Sequence, residues 1–285
     1  MAIDKAVDSG VLDGYFTGIA NAIRGKNGSS DNYTPAQMPQ AITDIPSGGT
    51  DYLGQRLVDT LTSYTNDTLT GKLVDYSFSY CLALESVSLA GITELGQQVF
   101  TGSRNLKSVN IPNATIIGDY AFQQAGYNTV AADRIVMDLK KVTTISQRGF
   151  TNCKFVKEIE FGSVLTSIGQ YAFMSCSVEK ITVATNSLNI GYRAFMSAAD
   201  LQEIIFTGHV SSISSQAFSN DSACLLYDFS SCTSVPTLDA TNAFNGINAN
   251  AKIVVPDSLY STWIAASNWA NFASYIIKKS DYDAL

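Results

Sequence analysis

Along most of the chain, apolar and polar positions return with a period near 22 residues. Eight phenylalanines hold equivalent places: Phe78, Phe100, Phe122, Phe150, Phe173, Phe195, Phe218 and Phe244. Their separations are 22, 22, 28, 23, 22, 23 and 26 residues. Most follow a small residue, as at Ala121, Gly149, Ala172, Ala194, Ala217 and Ala243. The runs "LESVSL", "LKSVNI", "VKEIEF", "VEKITV" and "LQEIIF" end about eleven residues after a phenylalanine. Each alternates apolar and polar letters and favours β-branched residues, which predicts a short strand. An aliphatic residue before Gly or Ser comes next (Leu95, Ile117, Ile145, Ile168, Ile190, Ile213), and then the following phenylalanine. A unit this short cannot bury its own apolar face, whereas stacked copies close a continuous core. The pattern predicts a mainly β solenoid over residues 69–256, of about eight coils with one short parallel strand each.

Three further features follow from the period. Cys81, Cys153 and Cys176 stand three residues after a ladder phenylalanine, where other coils place Ser103, Ala125 and Ala198. That position wants a small buried side chain, and cysteine serves as one. The two residues flanking the middle apolar position of each strand point away from the core. In the later coils these are Val136/Asp138, Glu158/Glu160, Lys180/Thr182, Glu203/Ile205 and Leu226/Asp228. They form either an acidic recognition stripe with Ile205 and Leu226 as apolar anchors or an ordinary solvated ladder. Tyr76, Tyr120 and Tyr171 share the position two before the ladder phenylalanine, as an exposed row or as structural stacking.

The run "IGQYAFMSC" at Ile168–Cys176 and its copies resemble the BspA-like, or treponemal-type, leucine-rich repeats. Pro112 and Pro256, just after "VNI" and "IVV", match the proline often found there. The resemblance implies a leucine-rich-repeat solenoid and a surface role. Two coils depart from it. The coil after Phe122 carries six extra residues around "AGYNTVAADR", and the one after Phe218 has the irregular turn "SSCTSVPTLDATN". Such insertions map to loops and are candidate contact sites.

Residues 1–46 lack the period. Leu12, Phe16, Ile19 and Ile23 are spaced for one face of a helix, and Met38, Ile42 and Ile45 for a second. Thr34-Pro35 reads as an N-cap followed by proline at the first helical position. A helical pair this small packs against a partner or its own copies, so Leu12, Phe16, Ile19, Ile23, Met38 and Ile42 are candidate assembly residues. "IANAIRGKNGSSDNYTPAQMPQAITDI" is similar to an N-terminal segment of phage and prophage tail-associated proteins, which implies attachment on the virion side. Residues 47–68 read as a linker and N-terminal cap. Residues 257–285 read as a helical C-terminal cap, with Trp263 and Trp269 in its core.

Composition narrows the function. Net charge is −7, with 25 acidic against 18 basic residues, which argues against nucleic acid as a partner. No apolar run reaches membrane-span length, so no insertion is expected. The N-terminus has no basic and apolar signal pattern and the C-terminus no anchor, which predicts synthesis in a cytosol without general export. Five cysteines do not read as a disulfide framework. The single histidine, His209, sits in the turn "FTGHVSS", and no nucleotide or metal motif appears. No cofactor and no enzymatic activity are expected. The favoured expectation is a phage tail fibre, tip or receptor-binding protein, made in the host cytoplasm and carried in the virion. Its partners would be a host-cell surface receptor (protein or glycan) and other tail proteins, possibly as a homotrimer. The runner-up is a bacterial cell-surface adhesin.

Overall fold

A computed structural model describes residues 60–285. The two helical stripes at the N-terminus, with Leu12, Phe16, Ile19, Ile23, Met38 and Ile42, lie outside the described residues. The rest is a parallel solenoid with three sides. Each regular coil contributes two strands rather than the single strand expected. The aliphatic-Gly/Ser run, read from the sequence only as an approach to the next phenylalanine, is itself extended and paired.

Numbered in chain order, the odd strands and the last strand form the first side. β1 (Ser63–Thr65), β3 (Ser86–Ser88) and β5 (Ser108–Asn110) make a three-stranded parallel sheet. β7 (Ile135–Leu139), β9 (Val156–Phe161), β11 (Lys180–Val183), β13 (Glu203–Phe206), β15 (Leu226–Asp228), β17 (Lys252–Val255) and β18 (Ile276–Lys278) make a seven-stranded one. The even strands, from β2 (Gly71–Leu73) through β6 (Ile116–Ile117) and β8 (Thr144–Ile145) to β16 (Thr237–Leu238), form an unbroken eight-stranded sheet on the second side.

The third side has no strands. It is built from the phenylalanine turns, and two positions in each turn but that of Phe244, which has one, take a left-handed backbone. Two residues before the phenylalanine these are Tyr76, Gln98, Tyr120, Arg148, Tyr171, Arg193 and Gln216, with φ between 54° and 62°. Two residues after it they are Tyr80, Gly102, Gln124, Asn152, Ser175, Ser197, Asn220 and Gly246. A non-glycine residue pays about 1–2 kcal/mol for this conformation. The return is a third backbone ladder. The phenylalanine N–H of each coil donates to the carbonyl before the next phenylalanine, as in Phe78 to Val99 at 2.9 Å and Phe173 to Ala194 at 2.6 Å. The two left-handed positions donate in the same direction, as in Tyr76 to Gln97 and Tyr80 to Thr101.

These bonds hold neighbouring rings at stacking distance. Consecutive ladder phenylalanines lie 4.9–5.5 Å apart with planes within 17°. All eight are buried. At the C-terminal end Phe244 meets Trp269 at 5.5 Å and Phe272 at 5.3 Å, and Trp263 and Trp269 are fully buried. The cap is less helical than expected. A 3-10 turn (Asp257–Leu259) leads into α1 (Tyr260–Ala265), a second 3-10 turn (Trp269–Phe272) follows, and β18 then extends the first sheet before α2 (Lys279–Tyr282). Asp257 does not cap the turn it opens; its carboxylate instead accepts the Ser280 N–H, in the first turn of α2, at 3.0 Å.

Truncating a central ring removes contacts on both neighbouring coils. Phe173→Ala is expected to cost about 3–5 kcal/mol, read by denaturant unfolding. A loss under about 1 kcal/mol would show that the rings stack without carrying the core.

Candidate recognition surface

Strand alternation puts Met137, Ile159, Ile181, Ile204, Tyr227 and Ile253 into the core, and their neighbours outward. Register then aligns the outward residues into two rows. Val136, Glu158, Lys180, Glu203, Leu226 and Lys252 pair coil to coil in the first. Asp138, Glu160, Thr182, Ile205 and Asp228 pair in the second, which runs on to the buried Val254. All ten residues paired from the sequence on this face therefore share one continuous surface.

Of the two alternatives, its charge departs from an acidic stripe. Lys140 Nζ lies 3.3 Å from Asp138 and 2.8 Å from Glu160. Lys180 Nζ lies 2.9 Å from Glu203, and Lys157 Nζ 4.0 Å from Glu158. Lys140 follows its strand and Lys157 stands beside the outward pair, so neither entered a tally of strand-face letters. Exposed pairs of this kind are individually weak and screened by salt. The surface is thus a charge-alternating strip with apolar points at Val136, Ile205 and Leu226; Val136 is 58% exposed.

The strip ends at a discontinuity. β5 and β7 do not pair, which is why the first side divides into sheets of three and seven strands. The cause is the six-residue insertion after Phe122. Gly126 and Asn128 donate backbone N–H bonds to Ser103 and Arg104 at 3.0 and 2.9 Å, occupying the place of a regular loop. The 3-10 turn Ala131–Asp133 then delivers the chain to β7. Only one side opens: behind the gap Ile116 still pairs with Thr144, and Phe122 stacks on Phe150 at 4.9 Å. Gly126 permits this packing, since a Cβ there would lie 2.4 Å from that of Phe155. The result is a groove of about 520 Å³ between Asn110 and Pro112 on one wall and Val136, Asp138 and Lys141 on the other.

The tyrosine positions form part of a longer column on the corner beside the second sheet. Arg148 fills the intervening coil, its guanidinium 5.5 Å from the Tyr120 ring and 4.9 Å from Tyr171. Arg193 continues it, 4.8 Å from the Tyr192 ring, with Nε donating to Gln216 Oε1 at 2.8 Å. Tyr76, 53% exposed, stands apart from these contacts.

The remaining reactive groups are placed by packing. All five cysteines are free and buried. Burial pushes the Cys81 thiol up to about 11 and Cys176 up to about 12, so both stay protonated near neutrality. His209 Nε2 is 3.4 Å from Ser234 Oγ, but among the described residues its buried Nδ1 has no partner and no carboxylate orients it as in a triad. Asp221 takes the small-residue slot of its coil and is fully buried. Its Oδ1 accepts the Ala198 N–H at 3.0 Å, and Oδ2 has no partner among the described residues. Ser103 in the same slot accepts from Cys81 N–H and donates to the Phe78 carbonyl.

A family model described as the BspA type leucine rich repeat region matches in six copies, over residues 71–139 and 127–250. No protein of curated function matches the sequence. Among solved structures, a leucine-rich repeat protein from Bacteroides ovatus is similar at 19% identity and TM-score 0.46, over 73% of this chain and 57% of that one. A T. pallidum leucine-rich repeat protein shows 18% identity and TM-score 0.45, over 71% and 81% of the two chains. A leucine rich cell surface protein from Faecalibacterium prausnitzii shows 17% identity and TM-score 0.37, over 78% and 90%.

Burial raises the pKa of Asp221 well above its usual range, against the smaller lowering by the Ala198 N–H. The folded chain therefore holds a proton that the unfolded chain releases above about pH 4. That stabilisation is fully present below the unfolded pKa and is lost as pH rises toward the folded one. Asp221→Asn should raise the melting temperature relative to wild type by an increment that grows from about pH 4 to pH 8. A constant increment across that range would refute the buried proton.

Proposed function

Because the chain belongs to the BspA-type leucine-rich-repeat family, we propose that it is a non-enzymatic recognition module, carried on a phage tail as a fibre, tip or receptor-binding component. The observation behind the recognition role is the pair of in-register outward rows from Val136 to Asp228, which end at the groove between β5 and β7. Repetition gives a broad, rigid surface on which side chains change without disturbing the core. Alternating charges set orientation and rate of encounter, and Val136, Ile205 and Leu226 supply apolar contact. The tail assignment draws on the N-terminal sequence, whose resemblance is to tail-associated segments. In this reading residues 1–46 attach to other virion tail proteins or form a homotrimer, and the solenoid faces a protein or glycan of the host-cell surface. Membership of the repeat family favours a second reading, a bacterial cell-surface adhesin with the same strip as its contact.

Two measurements test these roles separately. Light scattering on the full chain is expected to give a trimer, and Phe16→Glu with Ile19→Glu a folded monomer; a monomeric wild-type chain would remove self-association through that segment. Labelled full chain is expected to bind intact bacterial cells, and Ile205→Glu with Leu226→Glu to weaken binding at least about tenfold with an unchanged melt. Equal binding by that variant would move the contact off the strip, while binding confined to animal cells would favour the adhesin.

A further inference from the structure

The insertion after Phe122 also shapes a second concavity, on the loops that join the phenylalanine turns to the first sheet. We propose that this recess binds a carboxylated saccharide. It encloses about 440 Å³ and is lined by Tyr80, Leu82, Arg104, Asn105 and Asn128, drawn from three successive coils. That volume lies in the range of small-ligand sites.

Each component of the recess suits a sugar acid. Tyr80 is 57% exposed and overhangs Gly102 of the next coil, where a Cβ would stand 2.5 Å from the ring carbon Cδ1. The missing side chain seats the ring and leaves it as a fixed platform, the kind of surface on which the C–H face of a pyranose packs. Asn105 Nδ2 donates to the Leu82 carbonyl at 2.7 Å, and Asn128 Nδ2 to Asn105 Oδ1 at 2.9 Å. Both amides are thereby oriented while Asn128 Oδ1 and the second N–H of each remain for hydroxyl groups.

The charge of the corner points to an anion. Arg104 and Lys154 have no carboxylate within ion-pair distance among the described residues, although the chain as a whole carries −7. Both instead lie over one ring, that of Tyr127, with Lys154 Nζ at 4.0 Å and the Arg104 guanidinium at 5.8 Å. Two like charges on one aromatic ring repel each other, and a bound carboxylate neutralises that repulsion while pairing with the planar guanidinium. A peptide backbone is a poorer match. The carbonyls of Ser103, Arg104 and Leu106 are already taken by Gly126 N–H, Asn128 N–H and Thr129 Oγ1, so no strand edge is open here.

The site lies off the strand-face strip, so its test and that of the proposed recognition surface fail independently. The full chain is titrated with sialyl-lactose, a glucuronate disaccharide and lactose by ligand-observed NMR. At least one acidic sugar is expected to saturate with Kd on the order of 1 mM, and lactose to bind at least about tenfold more weakly. Arg104→Gln should reduce the acidic sugar to the lactose level. Tyr80→Ala should weaken it at least about tenfold; both side chains are exposed, and the circular-dichroism melts should not move. Failure of both acidic sugars to saturate, or binding that Arg104→Gln leaves unchanged, overturns the proposal. Equal binding of a glutamate-rich peptide with the same Arg104 dependence would also overturn it, in favour of a peptide site.

Discussion

Coil-to-coil hydrogen bonding on the phenylalanine side fixes the spacing on which the rest of the solenoid depends. The left-handed residues on either side of each ladder phenylalanine but Phe244 aim three N–H groups at the next coil, and the carbonyls facing back receive those of the coil before. This sets the phenylalanines at stacking distance and closes the core between three sides. No β-branched residue occupies any of the left-handed positions, in keeping with the steric cost of that conformation. Glycine stands at two of them and polar or aromatic residues at the others, so the strain is accepted along the whole array and offset by the ladder it permits.

An array held this firmly on two sides tolerates a local change on the third. Six extra residues after Phe122 split the first sheet while the second sheet and the ring stack pass the same point unbroken. One insertion thereby produces both a groove between β5 and β7 and the tyrosine-lined recess on the adjoining corner. Irregularity in a repeat protein concentrates shape where regularity supplies only a surface.

Charge is partitioned in the same way. On the strand face, lysines meet carboxylates on their own or neighbouring coils, as at Lys140 and Lys180. On the phenylalanine side, Arg148, Arg193, Arg104 and Lys154 lie against tyrosine rings instead. An acidic chain therefore presents one nearly balanced face and one with locally uncompensated cations.

The period of the apolar letters alone was enough to predict a parallel solenoid, its phenylalanine ladder, the small-residue slot of the cysteines and the outward-facing pairs. Each depends on alternation or spacing, which a linear sequence carries directly. The second strand of each coil was harder to see, because two or three residues such as Ile116–Ile117 are too short for a periodic signal. The left-handed positions had a faint signal in the absence of β-branched residues, obscured by Tyr, Arg and Gln, which are not turn formers. The partial neutralisation of the acidic stripe, the split of the first sheet and the gathering of Tyr80, Arg104 and Asn128 could not be read from the letters. They join residues about one or two coils apart, and such contacts exist only once coil stacking has fixed which side chains share a corner.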